Sequence, residues 1–263
     1  MNLIFRIKSF FNFLKSAKSL SGHGIHSPFM FRFATIILKE SKFYEVQLHD
    51  LKELLNKLKS DKRKIKIADL GAGSFNKELN RSIASVARNT GTPLKYCCLL
   101  YAIIKEFKPA EIIELGTSLG ISTAAMAHAS PNIPISTIEG NPYLALIAEE
   151  NFNKLGLINI WQINGPFDLH LPDLLLKIKL PFLAFIDGNH RYLATIKYFE
   201  MIATIADNNS IIVIDDIHWS EGMEKAWDEI CNHPKVTVSI DLFRMGILFF
   251  NKGLPQQRFN LLF

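Results

Sequence analysis

The sequence predicts an α/β fold: a Rossmann-like, doubly wound, mostly parallel sheet with one antiparallel strand, preceded by a mainly helical, basic N-terminal extension. Three observations predict it. From residue 110 onward, short apolar runs alternate with longer helical patterns, which is how βαβ units around a parallel sheet read in sequence. Residues 110–120, AEIIELGTSLG, pass from an apolar run through a tight glycine loop straight into a helical pattern beginning at Ile121. The last two apolar runs, 236–242 and 246–250, have hairpin spacing around Arg244-Met245-Gly246, so one of them must run antiparallel.

The elements follow in order. Residues 1–20 place Ile4, Phe5, Ile7, Phe10, Phe11, Phe13 and Leu14 among lysines, an amphipathic helix expected to pack on its own domain or on a dimer mate, with a membrane surface as the alternative. Ser21 to Pro28 is rich in turn formers; His23 and His26 within it have no Cys or carboxylate beside them, so they read as structural rather than metal-binding. Residues 29–60 read as helical, with Leu48, Leu51, Leu54, Leu55 and Leu58 on one side. A glycine loop at Asp69-Leu70-Gly71-Ala72-Gly73-Ser74 resembles the one at 116–120, but the run before it alternates lysine with isoleucine and no strand ending in an acid follows it. That context favours the later loop. The chain divides near residue 90, into an extension (1–90) and an α/β domain (91–263). The domain opens with a helix from Pro93 to Phe107. It continues through strand 111–115, helix 121–129, strand 134–138, helix 143–155 and a short strand 158–163, then strand 182–186, helix 191–206, strand 210–214 and helix 221–232.

Composition narrows the class. At 263 residues and 48% hydrophobic content the chain can bury a full core and is not disordered. No apolar run reaches the roughly 18 residues that span a bilayer, and Arg6, Lys8, Lys15 and Lys18 interrupt the N-terminal apolar residues, so a secretory signal is not expected. Cys97, Cys98 and Cys231 make a poor disulfide set and read as buried thiols of a cytoplasmic protein. Residues 1–109 hold 20 Lys and Arg against 8 Asp and Glu, whereas the rest hold 10 against 17. Such a basic half is most simply a solvated surface, with nucleic acid or an anionic membrane as alternative partners.

Function is written at the strand ends. In a parallel sheet, ligands sit beyond the carboxyl ends of the strands. Glu114, Glu139, Asp187, Asp215 and Asp216 each end an apolar run or follow it directly, so all are expected at one rim. Glu114 beside the glycine loop would repel a pyrophosphate and suits a cationic ligand, and Ser118 stands where a dinucleotide fingerprint needs its second glycine. Asp187, Asp215 and Asp216 come from neighbouring strands and are hard oxygen donors of the kind Mg²⁺ takes. His190, three residues after Asp187, has the chemistry of a general base.

The stretches Glu114-Leu115-Gly116-Thr117-Ser118-Leu119-Gly120, Ile138-Glu139-Gly140, Phe185 to Tyr192 and Val213 to Trp219 together resemble class I methyltransferases that use S-adenosylmethionine, in the metal-assisted, catechol O-methyltransferase-like branch, over roughly residues 92–250. The resemblance implies a cofactor site at Glu114, Gly116, Thr117, Ser118, Gly120 and Asp187, with Glu139 on the ribose hydroxyls and Gly165 and Phe167 at the adenine. It implies Mg²⁺ on Asp187, Asp215 and Asp216. His190 stands where the catechol branch has a proton-accepting lysine, and His218 and Trp219 would wall the acceptor pocket. The implied activity is methyl transfer to an oxygen of a small-molecule acceptor, from a protein that is expected to form a homodimer. Two other readings stay open: a nicotinamide-dependent oxidoreductase on a similar fold, and an S-adenosylmethionine-binding module whose basic half docks RNA or a membrane.

Overall fold

The apolar runs of the second half pair side by side in the computed structural model, which describes residues 3–20, 27–68, 78–89 and 91–263. Strands β3 (Glu111–Leu115), β4 (Ile135–Glu139), β5 (Ile160–Asn164), β6 (Phe182–Ile186) and β7 (Ile211–Ile214) form the parallel part of the main sheet. It continues through β8 (Val238–Asp241), β9 (Gly246–Phe249) and β10 (Gln257–Asn260), in the order β10-β8-β9-β7-β6-β3-β4-β5. β9 runs antiparallel to both β7 and β8. β3, β4, β6 and β7 are buried almost without interruption, as expected for strands covered on both faces. β10 was not anticipated: its run, Gln257-Arg258-Phe259-Asn260, is too polar to read as a strand, and it earns its place by parallel pairing with β8 at the sheet edge.

Helices cover both faces. α6 (Leu94–Phe107) and α7 (Ile121–Ala129) lie in one hydrophobic cluster; α10 (Tyr192–Ile205) and α11 (Glu221–Cys231) lie in the other, with α8 (Pro142–Lys154) flanking β4 and β5. α9 (Phe167–Leu175), with Pro166 as its N-cap, is not among the elements the sequence predicts. The three cysteines are free and buried. Among the described residues no helix is long and apolar enough to cross a membrane.

The N-terminal helices are not a detached appendage. α2 (Pro28–Arg32), a π-helical turn Phe33–Leu38, α3 (Lys39–Ser41), a 3₁₀ turn Lys42–Glu45 and α4 (His49–Leu58) put Met30, Phe33, Leu38, Leu51 and Leu55 into the same cluster as α6, α7 and the sheet. β1 (Lys64–Ala68) and β2 (Glu78–Ser82) form an antiparallel pair, followed by α5 (Ile83–Asn89). The glycine loop at 69–77, with His23 and His26, lies outside the described residues. α1 (Leu3–Ser16) packs on its own chain by one face: Phe13 is buried against Phe243 and His218, Phe10 meets Phe243 edge-on, and Arg6 lies over Trp219. Ile4, Ile7 and Phe11 face outward. α1 therefore sits on the rim where the strand-end acids gather.

Candidate active site

The glycine loop after β3 owes its shape to backbone, not side chains. Gly116 has φ +104°, and a Cβ there would fall 2.1 Å from the Asp187 carbonyl oxygen. Glycine alone allows both that dihedral and that approach. Ser118 adopts φ 50°, and Gly120 (φ 78°) caps α7 with no room for a side chain against Phe152. The loop thus lies directly on the end of β6, joined to it by Asp187 N–H donating to the Leu115 carbonyl at 2.8 Å.

Beside the loop is a cleft of about 330 Å³ lined by Gly116, Ser118, Glu139, Phe167, Asp187 and Asn189, among others. Glu139 is 8% exposed and accepts from the Ser118 N–H (2.7 Å) and the Asn141 N–H (2.8 Å). Burial raises its pKa against those hydrogen bonds. Phe167 is held edge-to-face on Tyr198. Asn189 is a site residue that sequence reading missed. Its backbone is left-handed (φ 52°), its Nδ2 donates to the Tyr198 hydroxyl at 3.3 Å, and its Oδ1 is buried with no partner in the protein. A buried acceptor without a donor is costly.

Several expected cofactor residues lie elsewhere. Glu114 does not reach the cleft. It is fully buried and accepts from the hydroxyls of Ser122 (2.6 Å), Thr137 (2.6 Å) and Thr123. Burial raises its pKa and the hydroxyls oppose the rise. The acid therefore braces β3 against α7 and β4, and its meeting a cationic ligand is corrected. Thr117 is buried and shares a hydrogen bond with Thr137 in the same network. Gly165 (φ 151°) turns the chain after β5, packed against His170 rather than lining the cleft.

At the far side of Asp187 the expected metal ligands meet a different partner. Asp215, fully buried, accepts from Arg244: Nε to Oδ1 at 3.1 Å and to Oδ2 at 3.2 Å, Nη2 to Oδ2 at 2.8 Å. Arg244 Nε is also 3.8 Å from Asp216 Oδ1. Burial opposes the guanidinium's charge, but the carboxylates outweigh it and its pKa is raised. Among the described residues no group of three or more His, Cys, Asp and Glu is arranged to hold a metal ion. The donor set does not fit Mg²⁺, because a cation of the chain is already within it. At an effective dielectric of about 20, a divalent ion about 4 Å from a guanidinium meets roughly 8 kcal/mol of repulsion. The expectation of Mg²⁺ on Asp187, Asp215 and Asp216 is corrected on that ground.

Asp187 accepts from the Thr92 hydroxyl at 3.3 Å, and His190 Nε2 stands 3.6 Å from its Oδ1. Burial, with Asp215 and Asp216 close by, raises the Asp187 pKa well above the usual carboxylate range. Four non-glycine residues with left-handed backbone, Ser118, Asn189, Asp216 and Phe243, fall in this one region. Strained backbone concentrates where function constrains it.

His218 does not line the cleft. Its Nδ1 is 2.6 Å from Glu224 Oε1, its Nε2 is 2.9 Å from Asp241 Oδ2, and its ring stacks on Phe243. Ser9 of α1 bonds both His218 and Glu224, so the histidine pins α1 to the rim. Burial pulls its pKa down, but the two carboxylates prevail and the net shift is upward from 6.5. A folded pKa above the unfolded one gives stability that is full below 6.5 and is lost as pH rises through the raised value. Urea unfolding should therefore show a His218-dependent stability that declines as pH rises above about 6.5. His218→Gln should remove that decline; wild type and variant differing by a constant amount across the range would show that the clamp is not ionic.

Comparison with known proteins agrees with this geometry. Residues 113–217 match the family model described as a methyltransferase domain. No curated protein matches the chain. Among solved structures, an S-adenosylhomocysteine-bound methyltransferase from Podospora anserina is 18% identical, with a TM-score of 0.54 over 62% of this chain and 80% of its own. The O-methyltransferase TomG of Streptomyces achromogenes, solved in complex with S-adenosylmethionine, is 18% identical, with a TM-score of 0.53 over 62% of this chain and 82% of its own. An O-methyltransferase from Bacillus cereus, in complex with S-adenosylhomocysteine, is 19% identical, with a TM-score of 0.51 over 61% and 83%. The fold is thus the one these methyltransferases share, and residues 113–217 within it match a methyltransferase domain.

Proposed function

We propose that the protein transfers a methyl group from S-adenosylmethionine to an oxygen of a small-molecule acceptor. The observation that carries this reading is the cleft between the glycine loop, Glu139 and Asn189. A bound S-adenosylmethionine supplies an electrophilic methyl group on its sulfonium. Glu139 uses part of its acceptor capacity on two backbone N–H groups, and a carboxylate has about four lone-pair sites, which leaves room for the ribose hydroxyls. Phe167 presents an aromatic surface to a flat base, and Asn189 lines the cleft beside it. Gly116 lets the loop lie close enough to Asp187 to bring the methyl-bearing end beside the β6 rim.

At that rim His190 accepts the proton of the acceptor hydroxyl as the new oxygen–carbon bond forms and the sulfur–carbon bond breaks, leaving S-adenosylhomocysteine. Asp187, beside it, orients the imidazole. A positioned acid–base pair and enforced proximity are the means available to the chain's own residues.

Calorimetry tests the cofactor assignment. S-adenosylmethionine and S-adenosylhomocysteine should each bind once per chain, and NADH should not. Glu139→Ala should weaken both by about 1–3 kcal/mol, the cost of hydrogen bonds to a charged group. Tight NADH binding with no response to S-adenosylmethionine would replace the reading with a dehydrogenase.

A further inference from the structure

The Asp215–Asp216 pair ends β7, and the turn between β8 and β9 lies directly beside it. The register fixes this: β9 runs antiparallel to β7 with Gly246 opposite Ile214, and to β8 with Gly246 opposite Asp241. The turn is held at several points. Phe243 N–H donates to Asp241 Oδ1 at 2.7 Å, Arg244 N–H donates to the Leu242 carbonyl at 2.9 Å, and the Arg244 carbonyl accepts from Ile217 N–H at 3.1 Å. Arg244 thus has its backbone tied to the segment that carries the two aspartates. Its side chain is 27% exposed and lies above the Tyr96 ring.

We infer that Arg244 is the resident cation of this rim and holds the place among Asp187, Asp215 and Asp216 that a divalent metal would otherwise take. Both oxygens of Asp215 are spent on the guanidinium, and Asp216 lies within 4 Å of it. A Mg²⁺ ion needs near-ideal octahedral oxygen geometry at short distance, and here it would have to displace a fork-shaped donor that matches a carboxylate bidentately. The two cations exclude one another by charge as well as by shape. The arginine offsets the clustered negative charge permanently, where a metal would do so only when bound. Two of its N–H groups go to Asp215, and those it does not use there are hydrogen-bond donors for an acceptor oxygen at the partly open edge of the site. The inference rests on the reading of this rim as the acceptor side of a methyltransferase, and its consequence is a transfer reaction that proceeds in a chelator.

Mn²⁺ titration of the full chain, followed by the electron paramagnetic resonance of the free ion, separates the possibilities without needing the acceptor. Wild type should show no saturable site below about 1 mM, the weak limit of protein sites for hard divalent ions. Arg244→Gln should acquire one site at least about tenfold tighter, a usual size for a change around a metal site, and Arg244→Gln with Asp215→Asn should lose it again. Circular dichroism establishes that each variant is folded. A saturable wild-type site abolished by Asp187→Asn or Asp216→Asn overturns the inference, whether or not Arg244→Gln folds. So does a folded Arg244→Gln that gains no site. S-adenosylmethionine calorimetry on the same wild-type sample is independent: its failure would remove the methyltransferase reading, while the Mn²⁺ result would still decide what Arg244 does.

Discussion

Gly116→Ala is expected to abolish cofactor binding and to destabilise the fold. Two effects add. The residue sits at φ +104°, where an L side chain costs about 1–3 kcal/mol. The new Cβ would also fall 2.1 Å from the Asp187 carbonyl oxygen and 2.8 Å from its carbon. Those are backbone atoms, and they cannot move alone: Asp187 N–H is bonded to Leu115, and β6 is paired on both sides. Relief must come from displacing the loop itself, which is the wall of the cleft. The total should be about 3 kcal/mol or more, in the range reserved for backbone strain plus overpacking. Gly156→Ala provides the control. Gly156 also has positive φ (66°), but nothing lies within 4 Å of its Cβ position. It should show the conformational cost alone, about 1 kcal/mol, with cofactor affinity intact. Urea midpoints and calorimetry on the two variants measure both quantities. Equal losses in both would mean that the close approach at Asp187 contributes nothing, and the loop would then not be held as described.

Much of this was legible because a parallel sheet imposes long apolar runs with a defined chemical event at each end. β3, β4, β6 and β7 were readable from those runs, and Glu139 and Asp187 from their position after them. The acids themselves were less legible, since a carboxylate at a strand end can turn outward to the cleft or inward to the core. Glu114 turned inward, and its partners were present in the sequence as Ser122, Thr123 and Thr137, three hydroxyls on the next helix and strand. A buried acid needs such donors, so a cluster of hydroxyls at those spacings was the available signal. Arg244 was read only as a turn residue. Its pairing with Asp215 depends on β9 folding back beside β7, a contact no local pattern contains. The lone arginine between two apolar strands was still a clue, because a charge at the edge of a buried sheet calls for a partner. Asn189 gave no signal beyond its place two residues after Asp187; its role rests on a backbone dihedral and an unpaired oxygen, neither of which is written in residue types.

His190→Ala is the second substitution with a large expected effect, and it should act on rate alone. The side chain is 27% exposed, so its loss leaves no deep cavity. It does not line the cleft assigned to the cofactor, so S-adenosylmethionine affinity should stay nearly constant. kcat should fall by about 10²–10⁴, the usual span for a positioned acid–base group. The environment sharpens the test. Asp187, 3.6 Å away, has its pKa pushed up by burial and by Asp215 and Asp216, so it holds a proton at higher pH than an ordinary carboxylate. Asp187→Asn, which keeps the shape of the side chain, is the companion variant. If His190→Ala keeps the rate while Asp187→Asn loses it, Asp187 is the base and His190 only stands beside it. The proton would then leave through a carboxyl group whose pKa burial has already moved toward the task.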